Sequence, residues 1–177
     1  ALREYGKPVR MSLAIGVDPK NFDVMDTGRS RNSGDILKIA GYKNVNANAA
    51  ALGWMLKYRE SEGFSSMPDI TPKDILVAIM RWPHMTHFVY QANDYTFLCQ
   101  GSVIQFFMYV TQSIDSEASY DFFAKLESGE KLGSTSPILH VRNLFLKYRN
   151  AAASLDKRHI MANLILAWNG YVENTRV

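Results

Sequence analysis

The chain has 177 residues, 47% of them apolar and 12% aromatic, with a formal net charge of +3. That much apolar surface excludes an intrinsically disordered chain, and no apolar run approaches the roughly 18 residues of a membrane span. A single cysteine, Cys99, excludes an internal disulfide framework and points to a reducing, cytoplasmic compartment. Residues Pro8 to Ile15 alternate, with Val9, Met11, Leu13 and Ile15 pointing one way, so they are expected to form a strand with one face on a core. Gly16 ends it. Asp18 and Pro19 read as N-cap and first helical position of a short helix reaching about Met25. A polar loop from Asp26 to Gly34 follows, with two glycines and two arginines, and then a short helix from Asp35 to Ala40 closed by Gly41.

Everything afterwards is expected to be helical. Asn44 or Asn46 can cap a helix through Arg59, with Val45, Ala49, Leu52 and Leu56 on one stripe and Gly63 as the stop. Thr71-Pro72-Lys73-Asp74 is the clearest start signal, because the threonine caps, proline takes the first position, and the carboxylate sits near the positive dipole end. Ile75, Leu76, Ile79 and Met80 then form an inward stripe until Pro83, and the next helix opens at Ser102 with Val103, Phe106, Phe107 and Val110 inward. Asp115 or Ser116 opens a helix ending at Gly129. Ser136-Pro137 opens one with Ile138, Val141, Leu144, Phe145 and Tyr148 inward. Asp156 opens the last, burying Ile160, Met161, Leu164, Ile165 and Trp168. Strand and loop give way to helix upon helix near residues 41–46, which sets the expected domain boundary. A mostly helical α+β fold is expected. A lone strand is marginal, so it must pair with preceding chain, with a strand not recognised here, or with a second copy in a homodimer. The opening ALREYGKPVR, without Met, reads as that of a fragment or processed chain, and no secretory signal is seen.

The charge is unevenly spread. Residues 1–43 hold eight Lys/Arg against five Asp/Glu, residues 44–135 six against ten, and residues 136–177 six against two. Two basic ends around an acidic middle are compatible with a polyanion-binding surface, although the ordinary reading of such charges is a solvated surface.

Several motifs invite chemistry. Asp26-Thr27-Gly28 is the triplet of pepsin-like proteases, where two such loops share a proton between two carboxylates. Only one copy is present, an arginine follows the glycine, and helices surround it. His84 and His87 are spaced to share a helical face, but zinc wants further ligands at recognised spacing, so no metal is expected. Cys99 has no nearby histidine and reads as a packed side chain. No phosphate loop of the Walker type, metalloprotease His-Glu-x-x-His or nucleophile elbow occurs, and neither catalytic residues nor a cofactor can be named.

The loop from Asp26 to Arg31 is the best candidate site. Gly28 frees the backbone for close approach, Arg29 and Arg31 present planar forks suited to phosphate, and Asp26 can orient one of them. The bland alternative is a solvated turn capped by Asp26. Carboxylates beside two arginines stay ionised by charge pairing, so the loop suits gripping phosphate better than cutting it. After Pro137, His140, Asn143, Lys147 and Asn150 fall within about 80° of one helical face, which can lie on a nucleic-acid backbone or groove. Arg142 and Lys147 are the candidate phosphate-binding cations of that segment.

The run GKPVRMSLAIGVDPKNFDVMDTGRSRNSGDIL resembles phage and bacterial proteins with a ParB/sulfiredoxin-like N-terminal domain. Their pattern is an apolar strand, then Gly16-Val17-Asp18-Pro19, Phe22, Val24, Asp26-Thr27-Gly28 and Arg31, then Asp35-x-Leu37. The C-terminal half is similar too, through Asp121-Phe122-Phe123, Gly129, Ser136-Pro137-x-Leu139 and Ala167-Trp168-Asn169 near Tyr171. The resemblance implies that residues 1–43 are the C-terminal part of such a domain and residues 44–177 a helical domain. It implies a DNA-associated protein of the host cytoplasm, nucleotide-binding or nucleolytic in character, with Asp26, Thr27, Gly28, Arg29 or Arg31, and Asp35 on the motif. The Gly-Gln-His-Arg motif that precedes this segment in the family, resembling a phosphate-handling loop, does not occur here. The expectation is therefore a non-catalytic DNA-binding chain. The alternatives are a piece of a ParB-like enzyme, or a factor docking on a host protein through the aromatic-rich residues 82–109: Trp82, Phe88, Tyr90, Tyr95, Phe97, Phe106, Phe107 and Tyr109.

Overall fold

The computed structural model describes residues 16, 32–61, 69–95, 98, 101–150 and 155–175. The expected strand Pro8–Ile15, the helix after Asp18, the loop residues Asp26, Thr27, Gly28, Arg29 and Arg31, Phe97 and Cys99 all lie outside the described residues. Contacts divide the chain into Ala1–Arg31 and Asn32–Val177. The division falls ahead of the compositional change near residues 41–46, because the helix after Asn32 packs on the two long helices that follow it. Among the described residues, the regular structure of the second unit is all helical.

Helix α1 (Ser33–Ile39) starts on a reciprocal cap. The Asn32 side chain accepts from the Asp35 N–H at 2.9 Å, and the Asp35 carboxylate accepts from the Asn32 N–H at 3.1 Å. Asp35 therefore occupies the third helical position, where it satisfies an otherwise orphaned donor, and the helix begins two residues earlier than its own position suggested. Gly34 lets α1 approach its neighbour: a Cβ there would lie 2.4 Å from Asn46 Oδ1. Helix α2 (Val45–Glu60) opens from Asn44, whose φ of 50° is a left-handed conformation that asparagine tolerates. Helix α3 (Pro72–Arg81) has the expected start, with Thr71 and Asp74 capping each other. Its buried positions are Ile75, Ala78 and Ile79, so the inward face follows the i, i+3, i+4 rule and Met80 is left 62% exposed.

The stretch from Pro83 to Asp94 also turns helical. A 3-10 turn (Pro83–His87) runs into α4 (Phe88–Asp94), burying Met85, Val89 and Ala92. No capping side chain marks either start, Pro83 takes the first position of the turn, and burial of Met85, Val89 and Ala92 holds the segment. Helix α5 (Gly101–Ile114) is the centre of the unit, packed by α2 and α4 and by the two helices α6 (Ser116–Ser128) and α8 (Lys157–Thr175). Being covered on several sides, it buries every residue from Val103 to Met108 instead of a single stripe. One of these is Gln105, whose Nε2 donates to Asn48 Oδ1 at 2.7 Å and to the Met85 carbonyl at 3.0 Å, tying three segments together. The Thr111 and Ser119 hydroxyls meet at 2.8 Å and join α5 to α6 within the core.

Asp115 caps α6, and Gly129 closes it with a φ of 73°. Helix α7 (Pro137–Asn150) packs on α6 and α8. A Cβ on Gly170, late in α8, would sit 3.4 Å from Pro137, at the start of α7. Helices α7 and α8 are thus an antiparallel hairpin. On α7, Ile138, Val141 and Phe145 are buried, whereas Leu144 is only half-buried and Tyr148 is exposed, since both rotate off the inward arc. The core between α5, α6 and α8 is aromatic: Phe122 has ring centroids at 6.2 Å from Phe107, 5.4 Å from Phe123, 5.5 Å from Trp168 and 5.8 Å from Tyr171. Such edge-to-face pairs add about 0.5–1.5 kcal/mol each beyond the area they bury.

Candidate nucleic-acid interface

Helix α7 contains Arg142, Lys147 and Arg149 and no acidic residue. Its exposed row is the one the sequence pointed to: His140, Asn143, Lys147 and Asn150 are all exposed. At 100° per residue the middle of this row lies about 170° from the middle of the buried set Ile138, Val141 and Phe145. The row therefore faces directly away from the core. Beyond α7, the start of α8 presents Lys157, Arg158 and His159, all exposed, with Asp156 the one carboxylate between Pro137 and His159. Because the hairpin is antiparallel, Lys147 and Arg149 at the end of α7 and Lys157 and Arg158 at the start of α8 gather at one end of it. Four cations against one anion make this end the basic focus of the described residues.

The two candidate cations of α7 have different surroundings. Lys147 stands on the outer row, while Arg142 is half-buried and turned toward α6. Its Nη2 donates to the Ser128 carbonyl at 3.5 Å, and a Cβ on Gly129 would lie only 2.6 Å from its Nε. Arg142 covers the carbonyl end of α6, where the helix leaves acceptors unpaired and the dipole favours a cation. Five residues apart on a helix is about 140°, so the two cannot share one face. Asp26, Thr27, Gly28, Arg29 and Arg31 lie outside the described residues.

Other features of the unit organise less chemistry. His84 and His87 are exposed and meet edge to face, with ring centroids 5.5 Å apart. Among the described residues no group of three or more His, Cys, Asp or Glu is placed to hold a metal ion. Asp121 accepts hydrogen bonds from Lys125 and from the Tyr171 hydroxyl, linking α6 to α8, and the Lys125 ammonium lies 5.2 Å from the Tyr171 ring centroid. The Lys125 hydrogen bond, then that of Tyr171, holds the Asp121 carboxyl below its ordinary pKa. A cleft of about 220 Å³ beside this cluster is lined by Lys125, Lys131, Ser136 and Tyr171 at the start of α7. Another of about 270 Å³ has Lys57 and Lys157 near Trp54, with the Lys57 ammonium 5.5 Å from the indole centroid.

The aromatic-rich middle of the chain is largely core. Tyr95, Phe106 and Phe107 are buried, and Trp82, Phe88 and Tyr109 pack against the core half-buried. Of that group only Tyr90, 66% exposed, stands out from the described surface. The aromatic content reflects packing around α5. Among the described residues no helix is long and apolar enough to cross a membrane. Set against known proteins, the chain matches no family model, no curated protein and no solved structure.

Proposed function

We propose that this chain is a DNA-associated binding protein, non-catalytic in this form, whose helical unit contacts nucleic acid through the basic end of the α7–α8 hairpin. The observation that carries the reading is the acid-free α7 with its polar row turned outward, continued by Lys157 and Arg158 on α8. Exposed ammonium and guanidinium groups such as those of Lys147, Lys157 and Arg158 suit a row of phosphates, to which arginine can bind in a fork and lysine as a point charge. The resemblance to ParB/sulfiredoxin-like proteins supports the same ligand and adds Arg29 and Arg31 as further phosphate contacts. Cleaving a phosphodiester needs a positioned metal or nucleophile, and this reading assigns neither to the chain.

The test is anisotropy of a labelled DNA duplex titrated with the full 177-residue chain. Binding is expected at low ionic strength and should weaken steeply with salt, because each neutralised phosphate releases a counterion and adds about 0.9 to the log–log slope. Replacing Lys157 and Arg158 together by Ala should lower the slope by about 2. Undetectable binding at low salt, or an affinity indifferent to these two residues and to Arg29 and Arg31, overturns the proposal. Supercoiled plasmid incubated with the chain and Mg²⁺ is expected to stay intact. Nicking that vanishes in Asp26→Ala would instead place an active site in the N-terminal loop.

A further inference from the structure

We propose that α7 enters the major groove of duplex DNA, with His140, Asn143, Lys147 and Asn150 facing base edges and the α8 cations Lys157 and Arg158 on the flanking phosphates. This inference rests on the DNA-binding reading above and names the form of nucleic acid and the groove. The row sits opposite the buried face of α7, so the helix can be inserted along its length without uncovering Ile138, Val141 or Phe145. An α-helix with side chains is about 10–12 Å across, which the major groove, about 12 Å wide, admits and the minor groove, about 6 Å wide, does not. From His140 to Asn150 the helix rises about 15 Å, the length of four to five base pairs at 3.4 Å each.

The side chains match that placement chemically. Asparagine can donate to and accept from an adenine edge at once, lysine can donate to guanine, and histidine can do either. Occupants of other kinds fit the row poorly. A single strand needs exposed rings on which bases stack, and the row has no Phe, Tyr or Trp; the exposed Tyr148 lies about 120° round the helix from its middle. A membrane surface needs an apolar face, and the outward row has no aliphatic residue. Lys157 and Arg158 stand at the same end of the hairpin as Lys147 and Arg149, with Lys157 also lining the cleft beside Lys57 and Trp54.

The experiment compares two duplexes of one sequence, one plain and one whose cytosines carry a glucosylated hydroxymethyl group filling the major groove. The glucosylated duplex is expected to bind at least tenfold more weakly at equal salt. In parallel, Asn143→Glu places a negative charge on the row, and Ala124→Glu places the same charge on the exposed side of α6. Both substitutions are at exposed positions, and circular dichroism establishes that each variant is folded. Asn143→Glu should lose at least tenfold in affinity for the plain duplex relative to Ala124→Glu. Equal binding of the two duplexes, or equal affinity of the two variants, overturns the groove placement while leaving DNA binding intact. Failure of the unmodified chain to bind either duplex overturns the proposed function and this inference with it.

Discussion

Gly129 shows how one residue couples two helices. Its φ of 73° is the left-handed conformation that ends α6, and glycine adopts it without the clash a Cβ would bring. The space beside it is taken by Arg142, whose Nε would be 2.6 Å from such a Cβ. Gly129→Ala should therefore destabilise the unit by about 1–2 kcal/mol, from backbone strain that remains even if the arginine moves aside. The same substitution made on an Arg142→Ala background separates the two effects in urea denaturation. Strain predicts that most of the loss persists there; a loss that disappears would mean that the side-chain clash dominates.

Among the elements, α6 and α8 are strapped together at the surface by Asp121, Lys125 and Tyr171. The Asp121 carboxyl is held below its usual range by Lys125 first and by the Tyr171 hydroxyl second. A carboxyl depressed on folding adds stability that is present above the unfolded value of about 3.9 and is lost as pH falls through the folded one. Asp121 is exposed, and water screens the pair, so this contribution is small. The titration itself is the sharper readout. In Tyr171→Phe, the Asp121 midpoint followed by NMR should rise toward 3.9 but stop short of it, because Lys125 still donates. An unchanged midpoint would show that the tyrosine plays no part. The Tyr171 hydroxyl is correspondingly harder to ionise, through burial first and then its bond to Asp121.

For the molecule as a whole, a tyrosine packed in the aromatic core links stability to alkaline pH. Tyr95 is buried with its ring centroid 5.4 Å from that of Phe123, and burial, with Glu127 and Asp94 nearby, pushes its hydroxyl up to about 12. An unfolded tyrosine ionises near 10, so the folded state keeps a proton that the unfolded chain releases. Stability supplied in this way is complete below about pH 10 and declines as pH rises toward 12. Tyr95→Phe cannot ionise. Thermal melts across that window should show a shallower decline for the variant than for the unchanged chain, and parallel curves would remove Tyr95 as the cause.

The local signals legible in the chain are those that act within one turn. Thr71, Pro72 and Asp74 mark the start of α3, Asp115 that of α6 and Gly129 its end, because caps and left-handed stops depend on neighbours three or four residues away. The outward row of α7 was likewise readable, since its positions follow from helical periodicity. Which helix is central, and therefore buried on several sides, is not a property of one window. Val103 to Met108 could be recognised as wholly buried only after α2, α4, α6 and α8 were seen around them. Gln105 is held in the core because its amide nitrogen donates to Asn48 and to the Met85 carbonyl, both distant in sequence. The helical turns from Pro83 to Asp94 carry no side-chain cap and are held by the burial of Met85, Val89 and Ala92. Periodicity puts Arg142 off the face of Lys147, but only the packing of α7 on α6 gave its guanidinium the carbonyl end of a helix.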